Sequence, residues 1–465
     1  MGNREQAKKL LESGEVATND KSRQSNLDHG YQLLSSACYA DPTFGEAFYV
    51  NGNTACDLKR PHAAVAIYRR ALECDLAKDV KAKLLSNLGW QLNDLGRYHE
   101  ALGYLHQAVE LDPKLALPWL NLAAAHRGLD QTETGLSCAR KCVKLSLPGA
   151  SLAEFQLAFA LLFNGNYAEG LEAFESRFAE RLHNFLLYPY PKWRGESGKT
   201  LFLVADQGLG DTLSYARFVE QAARRCRFVH MCVQAELRRV FEHAFRHITN
   251  LNFMPSPSNF PGDADAWSTF VSLPYALGLT DDQIINAPHI DMPHFGMPPQ
   301  WKVPDRKLHI GIAWAGSPLN DIDRHRNIPI HHFLELYRVP GIQLYSLQVD
   351  EKKKDLNIWG CAPVIRDLSG YLRDIADTIS VLDQLDLVVT VESALGHIAG
   401  SIDKPCIIPY SWCGRDYRLS SNAQRILWYK HHEVVRQSDN MAWEPVFDEI
   451  VEKLSGFSNR EFKTP

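Results

Sequence analysis

The sequence has no uninterrupted apolar run near the roughly 18 residues that a membrane-spanning helix needs, so no membrane span is expected. Its first residues, MGNREQAKKLLESG, lack the apolar core of a secretory signal. The ten cysteines never form a Cys-x-x-Cys pair. Small core-facing thiols in a reducing compartment are therefore expected, also for Cys138 and Cys142. These features favour a cytoplasmic location.

An excess of positive charge is also missing. Lys and Arg total 50 and Asp and Glu total 55, which gives a net charge of −5. Because affinity for phosphate backbones comes from clustered cations, nucleic-acid binding is not expected. The chain of 465 residues is 45% hydrophobic, which is typical of packed globular structure in about three domains.

A repeat of about 34 residues dominates the first part of the chain. With Ala82 as position 1, small residues stand at positions 8, 20 and 27, namely Gly89, Ala101 and Ala108. Small residues at these positions let two antiparallel helices approach closely, and Leu105 at position 24 fills the gap. This spacing predicts a tetratricopeptide repeat.

The pattern recurs in register along the chain. Further copies are predicted over 45–78, 116–149 and 151–184, with a weak first copy over 11–44. Three or more copies at one period favour an all-α tetratricopeptide solenoid of about five repeats over 1–184, with an unrelated helical bundle as the alternative.

From residue 198 the pattern changes to alternating strands and helices, which predicts parallel sheets covered by helices. A Pro-rich stretch from Ala287 separates two such groups. We therefore expect two Rossmann-like domains, over 198–290 and 306–455. The first is short enough that its sheet should have only four or five strands.

Ligands of open α/β sheets bind beyond the carboxyl ends of strands, so the turns after the strands are the candidate sites. The first turn follows the predicted strand Leu201–Ala205. Its glycines, Gly208 and Gly210, permit a tight turn and close approach of a ligand. Asp211 is either a cap of the following helix or a general base.

The second turn follows the predicted strand His309–Trp314. Residues here that could bind a donor diphosphate are Ser317, Arg324 and Arg326. The alternative is a solvated loop in which the arginines pair with Asp321 and Asp323. These two aspartates have the Asp-x-Asp spacing of some metal sites, but they lie beside two arginines, so no metal is expected.

The third turn follows the predicted strand Leu385–Val389. Ser393 can cap the next helix, whose free N–H groups suit a phosphate, and His397 shares its face. Gly396, which has no side chain, leaves space beside His397. A hydrogen-bonded core histidine is the alternative reading of His397. The aromatic residues of Tyr410–Tyr417 either stack on a ligand or pack at a domain edge.

Three stretches resemble the family 9 glycosyltransferases, which include the ADP-heptose:lipopolysaccharide heptosyltransferases: Val204–Phe218, AWAGSP…DRHRNIP and DTISVLDQLDLVVTVESALGHIAGSIDKP. The resemblance covers roughly 198–455. With the repeats in front, the chain is similar to bacterial protein-modifying transferases, including flagellin glycosyltransferases. The resemblance implies a GT-B pair of Rossmann-like domains, with the second binding the nucleotide sugar.

The resemblance also implies roles for single residues. Asp211 matches the proposed base that deprotonates the acceptor hydroxyl. Ser393 and His397 match residues that contact the donor diphosphate, and either Arg324 or Arg326 matches a basic residue of the family. Glu392 departs from the usual Asp, which leaves its own donor-side role open.

Together these patterns predict an inverting glycosyltransferase that acts without a metal or other cofactor, with a nucleotide sugar as co-substrate. The repeats would select a protein acceptor, such as flagellin or another surface protein, on their concave surface. Two alternatives stay open: a repeat scaffold with an inactive transferase-like domain, and another nucleotide-sugar enzyme such as an epimerase or hydrolase.

Overall fold

The computed structural model describes residues 2–19, 24–147, 149–178, 188–292, 301–304, 308–316, 323–413, 416–418 and 426–461. The chain forms two compact units, Met1–Asn164 and Gly165–Pro465. The described part of the first unit is helical, whereas the second holds both β-sheets.

Helices follow one another through the first unit. They are α1 (Gly2–Thr18), α2 (Gln24–Ala40), α3 (Gly45–Asp57), α4 (Pro61–Leu72), α5 (Lys78–Asp94), α6 (Tyr98–Leu111), α7 (Ala116–Gly128), α8 (Thr132–Leu145) and α9 (Ser151–Phe163). Consecutive helices pack in pairs, and each pair packs on the next. The first pair begins at Gly2, before the start of the weak copy predicted at residue 11.

The pair α5 and α6 shows why the repeat needs small residues. A Cβ atom at Gly89 would lie 2.4 Å from Leu105 Cδ2, which no relaxed packing permits. Ala101 and Ala108 are also fully buried. The side-chain amide of Asn87 donates to Asn53 Oδ1 at 2.9 Å and so joins this pair to the preceding one. The predicted close approach of the two helices is confirmed.

The first sheet has four strands in the described residues: β1 (Thr200–Val204), β2 (Phe228–Cys232), β3 (Leu251–Phe253) and β4 (Ala266–Thr269). They are parallel in the order β3-β2-β1-β4. The helices around them are α11 (Leu209–Tyr215), α12 (Val219–Arg225), α13 (Ala235–Ala244), α14 (Leu273–Leu277) and α15 (Asp281–Ile285). All side chains of the central strand β1 are buried, as its apolar run predicts.

The second sheet has six described strands: β5 (Leu308–Ala313), β6 (Ile342–Ser346), β7 (Ile365–Asp367), β8 (Leu387–Thr390), β9 (Cys406–Tyr410) and β10 (His432–Arg436). They are parallel in the order β10-β9-β8-β5-β6-β7. The helices are α16 (Asp323–Arg326), α17 (His331–Leu334), α18 (Asp355–Ile358), α19 (Ile375–Leu382), α20 (Ala394–Ser401) and α21 (Glu444–Glu461).

A tenth helix, α10 (Tyr167–Phe174), belongs to the second unit, although the sequence pattern placed it in the last repeat. It packs against α14 and α15. The fully buried Arg177, just after it, donates to Asp206 Oδ2 at 2.9 Å and to Ser272 Oγ at 2.8 Å. These bonds fix the segment to the end of the first sheet.

The expected fold class is confirmed: tetratricopeptide-like helices precede two parallel-sheet, Rossmann-like α/β domains. Within the described residues, no helix combines the length and apolar character needed to cross a bilayer.

The packing of α5 on α6 generates a stability prediction. Gly89→Val should lower the free energy of unfolding of residues 1–164 by about 1–3 kcal/mol or more, because Leu105 must move. Urea titration followed by circular dichroism measures the change. The matched control is Gly103→Val on the exposed side of α6, where a Cβ would meet nothing within 4 Å. Equal stability of the two variants would contradict this account of the pair.

Candidate functional site

The carboxyl ends of the two sheets meet where α11 and α20 pack together. A Cβ atom at Gly210, on α11, would lie 2.4 Å from Cδ2 of His397, on α20. The absence of a side chain at Gly210 therefore admits the imidazole ring of the other domain. The sequence predicted that this glycine leaves room for a ligand, whereas in the structure the space holds His397.

Asp211 lies in the first turn of α11, three residues after the N-cap Gly208. It does not cap the helix, so the capping alternative is wrong. About a third of its side chain, 32%, remains exposed. A negative charge in the first turn is favoured by the helix dipole. The carboxylate is thus held at the edge of the first sheet and stays accessible.

Arg418 of the second domain reaches this carboxylate. Its Nη2 atom donates to Asp211 Oδ1 at 3.1 Å, and its Nε atom donates to the two carboxylate oxygens of Asp416 at 2.7 and 2.9 Å. The side chains of Arg418 and Asp416 are only 6% and 2% exposed. One buried guanidinium group therefore bridges two carboxylates from different domains.

The three charges affect one another's ionisation. The partial burial of Asp211 raises its pKa above the usual value, although Arg418 opposes this. Burial also acts to raise the pKa of Asp416, but Arg418 outweighs it and the pKa is lowered. Burial disfavours the charge of Arg418, yet Asp416 and Asp211 keep its pKa well above normal. A carboxylate with a raised pKa near an open surface suits a general base.

His397 is buried and hydrogen-bonded. Its Nδ1 atom lies 3.1 Å from Ser214 Oγ and 2.9 Å from the Tyr429 hydroxyl. Burial lowers the pKa of His397 to about 3, and Arg418 adds to the shift. The ring is therefore neutral near pH 7 and directed at protein groups. This arrangement matches the core-histidine alternative, and it gives a donor phosphate no cation at this position.

Other polar groups surround Tyr429. The Arg217 guanidinium donates to His289 Nδ1 at 2.9 Å, and the His289 ring stacks on Tyr429 with centroids 5.3 Å apart. The His432 ring also packs against Tyr429, with its centroid 4.7 Å from that of Tyr429. We call these residues, with Ser214 and His397, the domain seam. Burial lowers the pKa of His289 to about 4 and that of His432 to about 3, so the seam histidines are neutral.

The predicted donor-side residues lie at the ends of β5 and β8. The Nη1 atom of Arg326 is 3.3 Å from the main-chain oxygen of Glu392 and 3.4 Å from its Oε1. Burial raises the pKa of Glu392, against the effect of Arg326. Ser393 is the N-cap of α20, as predicted, but its hydroxyl lies 3.3 Å from Thr390 Oγ1 and makes no capping bond to the helix.

The other predicted site residues divide into two groups. Gly396 is buried against its own sheet, where a Cβ would lie 3.4 Å from Ile408 Cδ1. Ser317 and Asp321 lie outside the described residues, as do the side chains of Asp323 and Arg324. Across the described part of the chain, no three His, Cys, Asp or Glu side chains group closely enough to hold a metal ion.

The segment after β9 supplies residues that the sequence analysis did not select. The Tyr417 hydroxyl lies 2.7 Å from that of Tyr215, so this aromatic residue packs between the domains, as one alternative proposed. Asp416 and Arg418 flank it. The signal in the sequence was a pair of opposite charges, Asp416 and Arg418, in the segment that follows a predicted strand. For Tyr429 and Ser214 the sequence offers no such signal.

The approach of α11 to α20 generates a second prediction. Gly210→Ala should lower the melting temperature, because the new methyl group collides with the buried ring of His397. Gly208→Ala is the control, since its Cβ would meet only Asp211 Oδ2 at 3.7 Å. Differential scanning fluorimetry compares the two. A melting temperature for Gly210→Ala at or above that of Gly208→Ala would show that the ring is not held there.

Comparison with known proteins supports the repeats. A model of the tetratricopeptide repeat matches residues 82–115, which confirms the copy placed at Ala82. Protein FlbA of Caulobacter vibrioides is 24% identical over 440 residues, which cover 87% of this chain and 72% of FlbA.

Two solved structures are similar over larger parts of the chain. A mutant of Thermobaculum terrenum O-GlcNAc transferase has 14% identity and a TM-score of 0.33, covering 90% of this chain and 92% of that one. The E. coli ADP-heptose lps heptosyltransferase II has 13% identity and a TM-score of 0.41, covering 56% of this chain and 99% of that one. The family model shows that the chain contains a tetratricopeptide repeat at residues 82–115.

Proposed function

We propose that the protein is a cytoplasmic glycosyltransferase that moves a sugar, with inversion, from a nucleotide-sugar donor to a hydroxyl group of a protein acceptor. The observation that carries the proposal is the partly exposed Asp211 carboxylate, held at the meeting edges of two parallel sheets. The resemblance of the stretches around Asp211 and Ser393 to family 9 glycosyltransferases supports the same reaction class.

Asp211 is the general base of this proposal. It accepts the proton of the acceptor hydroxyl while that oxygen attacks the anomeric carbon and the bond to the nucleotide breaks. The raised pKa of Asp211 fits the role, because a base works best when its pKa lies near the working pH. The exposed third of its side chain gives the acceptor access.

The donor diphosphate would lie at the N-terminus of α20. The first backbone N–H groups of α20 receive no side-chain cap from Ser393. Such a helix N-terminus favours binding of an anion. Arg326 stands beside Glu392 at the same strand end and supplies positive charge. Because His397 is neutral and buried, we assign it a structural role, which is to hold α20 against α11. Arg326 and the N-terminus of α20 then stabilise the negative charge of the leaving diphosphate.

One observation favours a second candidate function. The Asp211 carboxylate is already bonded to Arg418, and such a pair can simply join two domains. The protein would then be a tetratricopeptide scaffold with an inactive transferase-like domain. The two candidates differ in whether the protein binds and consumes a nucleotide sugar.

The first test therefore measures donor binding and turnover together. We expect one member of a panel of ADP-, UDP-, GDP- and CMP-sugars to raise the melting temperature of the full chain, by the linkage that stabilises any ligand-bound fold. Asp211→Asn should keep this rise, because the base acts on the acceptor and the Asn oxygen can still accept from Arg418. Nucleotide release should fall by about 10²–10⁴-fold.

The matched control is Glu236→Gln, which removes an exposed carboxylate from the first turn of α13, the helix after the neighbouring strand. It should keep normal turnover. If the panel raises no melting temperature and releases no nucleotide, the scaffold function is the better account. Normal turnover of Asp211→Asn would remove Asp211 from the chemistry.

The repeats are proposed to select the protein acceptor. Because the compact units are Met1–Asn164 and Gly165–Pro465, we predict that each folds when produced alone. Residues 165–465 should show the same donor-induced rise in melting temperature as the full chain. They should transfer little radiolabelled sugar to proteins of a cell extract, since the repeats are absent.

The control is a chain that begins at Pro191, which lacks α10 and the buried Arg177. It should aggregate, because Asp206 and Ser272 lose their buried partner. Protein labelling by residues 165–465 that equals that of the full chain would show that the repeats do not choose the acceptor.

A further inference from the structure

Arg418 makes more contacts than a link between domains requires. It donates to Asp416 through Nε, to Asp211 through Nη2 at 3.1 Å, and to Ser214 Oγ through Nη1 at 3.3 Å. Every one of its three nitrogens therefore has an acceptor. The guanidinium plane is fixed, and with it the direction from which Asp211 is held.

A second ion pair already joins the same two domains elsewhere. Arg239, on α13, donates to Asp377 at 2.6 Å and to Asp374 at 2.9 Å, at the start of α19. This pair makes no contact with Asp211 in the described structure. Arg239 thus joins the domains without touching Asp211, whereas Arg418 joins them and also bonds Asp211, so mutation of each arginine separates the two effects.

The groups that act on the charge of Asp211 come from both domains. The charged and titratable groups facing it are Arg418, Asp416, Asp206, Tyr215 and Tyr417. Arg418 is the only one among these that favours the charged carboxylate, whereas Asp416 and Asp206 oppose it. Arg418 and Asp416 therefore act on Asp211 in opposite directions.

We propose that Arg418, anchored by Asp416, is the positioning residue of Asp211: it orients the carboxylate toward the acceptor and keeps it ionised. Asp416 partly neutralises the charge of Arg418. Arg418 can therefore hold the Asp211 carboxylate without making it too weak a base. This role rests on the proposed function only in taking Asp211 as the base.

The opposing effects of Arg418 and Asp416 on the ionisation of Asp211 can be measured without any substrate. A water-soluble carbodiimide modifies carboxyl groups through their protonated form, so the pH midpoint of Asp211 labelling follows its ionisation. Labelling of the full chain is quantified by peptide mass spectrometry across pH. The exposed third of the Asp211 side chain gives the reagent access.

Arg418→Met removes the cation, so the protonated form of Asp211 persists to higher pH and the labelling midpoint should rise by about 1–3 pH units. Arg418→Lys should restore most of the difference, because the charge returns. Asp416→Asn should move the midpoint the opposite way, to lower pH, because Arg418 then acts on Asp211 alone. Arg239→Met is the matched control and should leave the midpoint at the wild-type value.

An unchanged midpoint in Arg418→Met would overturn the proposal, and so would an equal shift in Arg239→Met, which would make domain joining the cause. Should Arg418→Met fail to fold, Asp416→Asn decides, since Asn keeps the shape and the acceptor oxygen. A midpoint that stays or rises in Asp416→Asn contradicts the opposing roles.

Failure of this inference differs from failure of the proposed function. If Asp211→Asn keeps normal nucleotide release, Asp211 is not the base, and a positioning role for the base is overturned with it even when the midpoints shift. If Asp211→Asn abolishes release but the midpoints do not shift, the proposed function stands and the role of Arg418 is wrong.

Discussion

The second unit depends on one buried guanidinium group. Burying a charge costs several kcal/mol unless ionic and hydrogen-bonding partners surround it. Arg418 meets that requirement only when the two Rossmann-like domains are together, because Asp211 and Ser214 come from the first and Asp416 from the second. The same requirement brings α11 against α20 and places the Asp211 carboxylate at the edge of both sheets.

The histidines of the domain seam complete this arrangement with neutral groups. The three seam histidines have pKa values lowered by burial, so they add no charge near pH 7. Because their folded pKa values lie below the unfolded value, the stability they contribute is present above about pH 6.5 and is lost as the pH falls toward 4 and 3. Neutral seam histidines leave Arg418 as the cation that is bonded to Asp211.

The sequence predicted the architecture well, because periodicity reports local packing. The repeat at Ala82 and the helix Ala394–Ser401 follow directly from spacing, and the buried central strands from apolar runs. The sequence analysis predicted no strand at β3, β4, β7 or β10, which are the edge strands of the two sheets. Strands β3 and β7 are only three residues long, which is too short to show a pattern. The sequence pattern assigned α10 to the last repeat because α10 has the repeat's spacing, whereas in the structure α10 packs on the domain of the first sheet.

The candidate site was predicted in part. Asp211, Arg326 and Ser393 lie at strand ends, where the α/β rule locates ligand sites, and their positions could be foreseen. The bond between Asp211 and Arg418 could not, because it joins residues far apart in the chain and depends on how two domains meet. His397 shows the same difficulty: its spacing from Ser393 suggested a phosphate contact, but burial against Gly210 and Tyr429 makes it neutral.

The most direct test of the central claim is a crystal structure of the full chain with a bound nucleoside diphosphate, chosen as the one whose sugar conjugate raises the melting temperature most. The account predicts that the diphosphate lies at the N-terminus of α20, within hydrogen-bonding distance of Arg326 and Ser393, with its terminal phosphate toward Asp211. A diphosphate bound away from α20, with Asp211 facing no ligand, would contradict it.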